Sequence, residues 1–117
     1  MVFIGGVSVA PLPTFIKAAY IIMKFLHISD LHIGKRLHEQ SLLEEQKYIL
    51  AELVKIACEQ SVNAVLVAGD VYDRSIPPVD AVDILDDFIT ELAEKNINIF
   101  IIAGNHGRAW TLCTTPT

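Results

Sequence analysis

Three apolar runs, each the length of a β-strand, alternate with two longer stretches of helical period. That alternation leaves few architectures open. The runs are Lys24 to Ser29, Val62 to Ala68 and Ile97 to Ala103. Between the first two, Leu42, Leu43, Ile49, Leu50, Leu53, Val54 and Ala57 fall on one helical face, with Glu44, Glu45, Lys47, Glu52, Lys55 and Glu59 mostly opposite. Pro77-Pro78 opens a second helix, Asp80 and Asp83 suit its positive end, and Val82, Leu85, Ile89, Leu92 and Ala93 form its apolar stripe. The order β-α-β-α-β predicts an α/β fold with a parallel sheet and right-handed crossovers. The middle run is Val-rich and continuous, the pattern of a strand covered on both faces.

Each run ends in residues of the kind that ligate metals. In an open parallel sheet, ligands bind outside the carboxyl ends of the strands. The first run leads into Asp30-Leu31-His32, the second into Gly69-Asp70-Val71-Tyr72-Asp73-Arg74 and the third into Gly104-Asn105-His106. Residues i and i+2 of an extended segment point to the same side, so Asp30 and His32 can face one ion. Gly69 lets the chain turn sharply where its strand ends, leaving Asp70 at the sheet edge, where one carboxylate could bridge two ions. Asn105 offers a neutral amide oxygen, suited to Mn²⁺, Fe²⁺ or Zn²⁺ beside imidazole and carboxylate. His106 reads either as a ligand or as an acid–base group. Each cluster alone is an ordinary polar turn, but three in succession after three buried strands point to a divalent-metal site for phosphate chemistry.

With 117 residues the chain fits one small domain, and a 52% hydrophobic content with mean hydropathy of +0.44 excludes a disordered one. The net charge is −5, and residues 23–106 alone carry seven basic against fourteen acidic residues, a balance of −7. Nothing global therefore suggests a protein that coats nucleic acid, and if the chain meets DNA, metal ions and local contacts must bring the phosphates in. Two cysteines, Cys58 and Cys113, make no disulfide framework; this suits a reducing cytoplasm, and Cys58, among apolar helix positions, is expected to be buried. Residues 1–22 are apolar and broken by Pro11 and Pro13, lack a basic residue ahead of Ser8-Val9-Ala10, and are too short and interrupted to span a bilayer; they read as a non-native extension upstream of Met23. Residues 107–117 have no periodicity and read as an irregular tail. His27 reads as a packed strand residue and Lys35, Arg36 and His38 as a solvated basic loop, with phosphate contact as the alternative.

The motifs Asp-x-His, Gly-Asp-x-x-Asp-Arg and Gly-Asn-His resemble those of the calcineurin-like metallophosphoesterases. Met23 to Leu37, Glu45 to Leu50 and the Gly-Asp-Val-Tyr-Asp-Arg-Ser-Ile-Pro-Pro segment are similar to the DNA nucleases of that family. The resemblance implies a fold of two packed sheets flanked by helices and a two-metal site, with Mn²⁺ the favoured ion. It assigns Asp30 and His32 to the first metal, Asp70 to both and Asn105 to the second. His106 would assist the leaving oxygen, Asp73 would orient His106, and Arg74 would contact phosphate. The metals would polarise a phosphodiester for in-line attack. It further implies DNA ends and hairpins as substrates, an ATPase partner subunit, and a homodimer within a larger complex, with no membrane.

The family pattern continues Gly-Asn-His with an acid, where this sequence has Gly107. It also takes three histidines from later motifs, whereas the four histidines here all lie at or before His106. The expectation is therefore the N-terminal half of a metallophosphoesterase domain over 23–106, inactive or nearly so alone, with one apolar sheet face uncovered. A phosphatase or cyclic-nucleotide phosphodiesterase, and a non-catalytic remnant module, stand as the alternatives.

Overall fold

The computed structural model describes residues 2–6 and 23–103. In chain order these form β1 (Val2–Gly6), β2 (Lys24–Ser29), β3 (Arg36–Leu37), β4 (Gln40–Ser41), α1 (Leu43–Glu59), β5 (Ala64–Gly69), α2 (Val79–Glu94) and β6 (Asn98–Ala103). The predicted β-α-β-α-β core is β2-α1-β5-α2-β6. The sheet order is β1-β2-β5-β6, with β2, β5 and β6 parallel and β1 antiparallel on the outer edge of β2. The edge strand, in register from Val2 beside Ile28 to Gly6 beside Lys24, and the exposed β3–β4 hairpin are additions to the sequence-based picture.

Two right-handed crossovers advancing in one direction across a sheet put both helices on the same face. Leu26 and Ile28 of β2, Val65 and Val67 of β5, and Ile99 and Ile101 of β6 line that face. They pack with Leu50, Leu53, Val54 and Ala57 of α1 and Ala81, Leu85, Phe88 and Leu92 of α2. The alternate residues Leu66, Phe100 and Ile102 point the other way, and Ile102 is 69% exposed. Among the described residues the middle strand is thus covered by helices on one face only, where the sequence pattern suggested two.

Both helices end alike. Val62 N–H bonds Ala57 O at 3.0 Å and Ser61 N–H bonds Cys58 O at 3.1 Å; Ile97 and Asn96 repeat the pattern on Leu92 and Ala93 at 2.9 and 3.0 Å. Ser61 and Asn96 take the left-handed conformation, at φ 52° and 58°, that this paired closure requires. Val62 and Ile97, one residue later, are buried and turn the chain into the next strand.

The helical phases need three corrections. Cys58 is exposed, because it stands one position, about a hundred degrees, past the buried Ala57. Ile49, expected on the apolar face of α1, is 53% exposed. The stripe of α2 runs through Ala81 and Phe88, leaving Val82 at 42% exposure. His27 is half-buried, on the sheet face away from the helices. Among the described residues no helix is long and apolar enough to cross a membrane.

Candidate functional site

Beyond the ends of β2 and β5 the chain continues as two adjacent loops, stitched by backbone bonds. Asp30 N–H donates to Ala68 O (3.0 Å), His32 N–H to Asp70 O (3.0 Å), Ile33 N–H to Val71 O (2.8 Å) and Asp73 N–H to Ile33 O (3.1 Å). Ile33, almost completely buried, anchors the pair from beneath. The polar side chains on either side of it are thereby held at the carboxyl edge of the sheet.

Asp30 and His32 both have positive φ, 55° and 45°. Left-handed backbone costs an L-residue roughly 1–2 kcal/mol. Such strain persists only where the surroundings impose it, and it concentrates at functional sites. Gly69, at φ +82°, faces Asp30 so closely that a Cβ there would overlap Oδ1 and lie 3.1 Å from Cγ. The carboxylate of Asp30 thus occupies the place a side chain at 69 would fill. Its Oδ1 lies 3.4 Å from the Asp70 N–H, joining the first donor to the second strand end. On the other side of the loop pair, His32 Nδ1 lies 3.6 Å from Asp73 Oδ1, both side chains about a third exposed.

Two carboxylates and an imidazole on abutting loops, with a third carboxylate beside the imidazole, are donors of the kind that divalent ions take. The cradle at Gly69 frees the sheet edge for a carboxylate. Among the described residues no three His, Cys, Asp or Glu side chains converge closely enough to cage an ion by themselves. Arg74 follows directly on Asp73 and is exposed. Asn105, His106 and the tail from Gly107 lie outside the described residues, as do residues 7–22 and Cys113. Asp73, expected to orient His106, lies in the described residues against His32.

Over residues 23–112 the sequence matches the model of the calcineurin-like phosphoesterases. The chain belongs to that family. It is also 40% identical over 85 residues to SbcD of the nuclease SbcCD from Staphylococcus epidermidis, an alignment covering 72% of this chain and 23% of that protein. The chain thus spans about a quarter of the length of this relative. The family match starts where the first parallel strand starts, and it takes in all three strand ends.

One contributor escaped the motif reading. Gln46, in the first turns of α1, reaches the Asp30–His32 loop with both ends of its carboxamide. Oε1 accepts from Gly34 N–H at 2.9 Å, and Nε2 donates to His32 O at 2.8 Å and Leu31 O at 3.4 Å. Its signal in the sequence was a single polar residue on the apolar stripe, three after Leu43 and four before Leu50. Tyr72 also lies here, bridged to Ile33; burial, and secondarily the Asp86 carboxylate, raise its phenol above the ordinary value of 10.0.

Proposed function

We propose that this chain carries the leading part of a metal-dependent nuclease site that hydrolyses phosphodiesters in DNA ends and hairpins. The observation that carries the reading is the abutment of the two strand-end loops, with the Asp30 carboxylate set against Gly69 and facing the Asp70 amide. Asp30, His32, Asp70 and Asn105 are the residues that would hold the divalent ions, Asp70 standing between the two sets. When bound, divalent ions polarise the phosphodiester and activate water. His106 serves the leaving oxygen. Asp73 steadies the neighbouring imidazole, fixing which ring nitrogen faces outward. Arg74 offers a fork of donors to phosphate.

The nuclease reading, rather than a general phosphatase, draws on the 40% identity to the SbcD relative. The family resemblance of the sequence motifs extends the proposal to DNA and an SbcC-type ATPase as partners, a pair of these chains in the assembly, a cytoplasmic setting in DNA repair and recombination, and Mn²⁺ as the ion. Mn²⁺ titration by calorimetry on the parent and on Asp70→Asn tests the site. A second assay compares hydrolysis of duplex DNA ends with that of a small phosphodiester. Mn²⁺ binding that Asp70→Asn abolishes is the expected result, with hydrolysis by this chain alone near background and duplex ends preferred in what remains. A parent that binds no Mn²⁺ overturns the metal reading, and a preference for the small ester overturns the nuclease reading.

A further inference from the structure

The loop carrying Asp30 and His32 is bonded along one side to the loop after β5 and has little regular support on the other. Left-handed residues recur at Asp30, His32 and Gly34, with φ of 55°, 45° and 91°, so the backbone cannot form a continuous ladder on both sides. Its outward groups need partners from elsewhere. Most of that support comes from one side chain. Gln46 takes the Gly34 N–H and gives its amide hydrogens to the carbonyls of His32 and Leu31. The carbonyl of His32 accepts a second bond, from Lys35 N–H at 3.1 Å. Gln46 stands on α1, which Leu50, Leu53, Val54 and Ala57 lock into the core. The loop is therefore referred to a rigid helix at the residue that presents the imidazole.

We propose that Gln46 is a positioning residue for the cation site, acting through the backbone of His32 and Gly34. The proposal rests on the metal reading above and adds to it the element that sets the His32 ring. A donor and an acceptor on two separate atoms of one fork are both needed, which a carboxamide supplies at neutral pH and a carboxylate does not. Glutamate keeps the acceptor for Gly34 but turns a carboxylate oxygen toward the His32 carbonyl. Methionine keeps the shape and loses all three bonds. Outer partners that orient a ligand are typically worth about 10- to 100-fold in metal affinity.

The test uses the full chain, Mn²⁺ alone as the probe, and three proteins: the parent, Gln46→Met and Gln46→Glu. Circular dichroism reports the fold, amide exchange of Gly34 reports the clamp without metal, and calorimetry with paramagnetic broadening of the His32 ring reports the site. The expected result is unchanged helicity and Mn²⁺ affinity about tenfold or more weaker in both variants. Fast Gly34 exchange is expected in Gln46→Met only. Retained Gly34 protection with lost affinity in Gln46→Glu separates positioning from loop stability. Parent-like affinity and His32 broadening in a folded variant overturn the proposal; if Gln46→Met does not fold, Gln46→Glu decides by the same criterion. A parent that binds no Mn²⁺ fails at the first titration and overturns the metal reading, a result distinct from parent-like binding by a variant.

Discussion

Gly69→Ala should separate the strain of the site from its geometry. The residue sits at φ +82°, where an L side chain costs roughly 1–2 kcal/mol of left-handed strain. The new Cβ would also overlap Asp30 Oδ1, so the carboxylate must swing away. Asp30 is exposed and can turn into solvent, so steric relief is cheap, but its interaction with the Asp70 N–H goes, worth about 0.5–1.5 kcal/mol. The total is about 1.5–3.5 kcal/mol of lost stability, together with a displaced Asp30 carboxylate. Gly34→Ala is the matched control: φ is +91°, yet its Cβ would meet only Ala81 and Pro78 at 3.4–3.6 Å, ordinary contact. It should show the backbone strain alone and leave Asp30 in place. Urea denaturation of both variants, in parent and Asp30→Ala backgrounds, closes the cycle. Removing Asp30 should make Gly69→Ala less costly by about 1 kcal/mol and leave the cost of Gly34→Ala unchanged. Equal costs in both backgrounds, or Gly69→Ala binding Mn²⁺ like the parent, would refute the reasoning.

Three further outcomes are expected. Asp86→Asn should lower the Tyr72 titration midpoint in spectroscopic titration without returning it to 10.0, since burial is the larger cause; and because the folded phenol is held above its unfolded value, its contribution to stability is present below pH 10 and fades as pH rises through the folded midpoint. On β6, Ile99→Ala should cost about 2–4 kcal/mol in urea melts, whereas Ile102→Thr, one face over, should change stability by less than about 0.5 kcal/mol and reduce self-association seen by light scattering. Ser61→Gly should raise the thermal midpoint, gaining up to about 1 kcal/mol by relieving the left-handed helix closure.

The parallel core was legible because burial on a helix-covered sheet writes short apolar runs into the chain, and Lys24 to Ser29 was read to the residue. The phase of each helix was less so. Cys58 and Val82 sit beside truly buried neighbours, and a shift of one position moves a residue a quarter-turn toward solvent. The β3–β4 hairpin was invisible, since its four strand residues are exposed and carry no apolar alternation. Asp30, His32, Asp70 and Asp73 were visible as strand-end donors, and the structure brings their loops together. Less legible was support carried by bonds between distant positions. Gln46, marked only as a lone polar residue on an apolar stripe, bonds backbone groups twelve to fifteen residues earlier, and Gly69 matters because of where Asp30 points.

The stitching of the two loops has a kinetic and thermodynamic consequence. Gln46 ties Asp30–His32 to α1 within a local segment, but Asp70 reaches that loop only when β5 pairs with β2, across some forty residues. Closing so large a loop is among the later, slower events in folding, and it is repaid only by the sheet it completes. No partly folded form with β5 undocked can hold the donors of both strands. Any ion bridging them therefore binds only the fully paired state and raises global stability by RT ln(1 + L/Kd), growing with the ion concentration L. The rise of the melting temperature with Mn²⁺ concentration then becomes a direct measure of the joined site, and a metal-binding defect at Asp70 should appear as a lost thermal shift even where the unliganded fold melts unchanged.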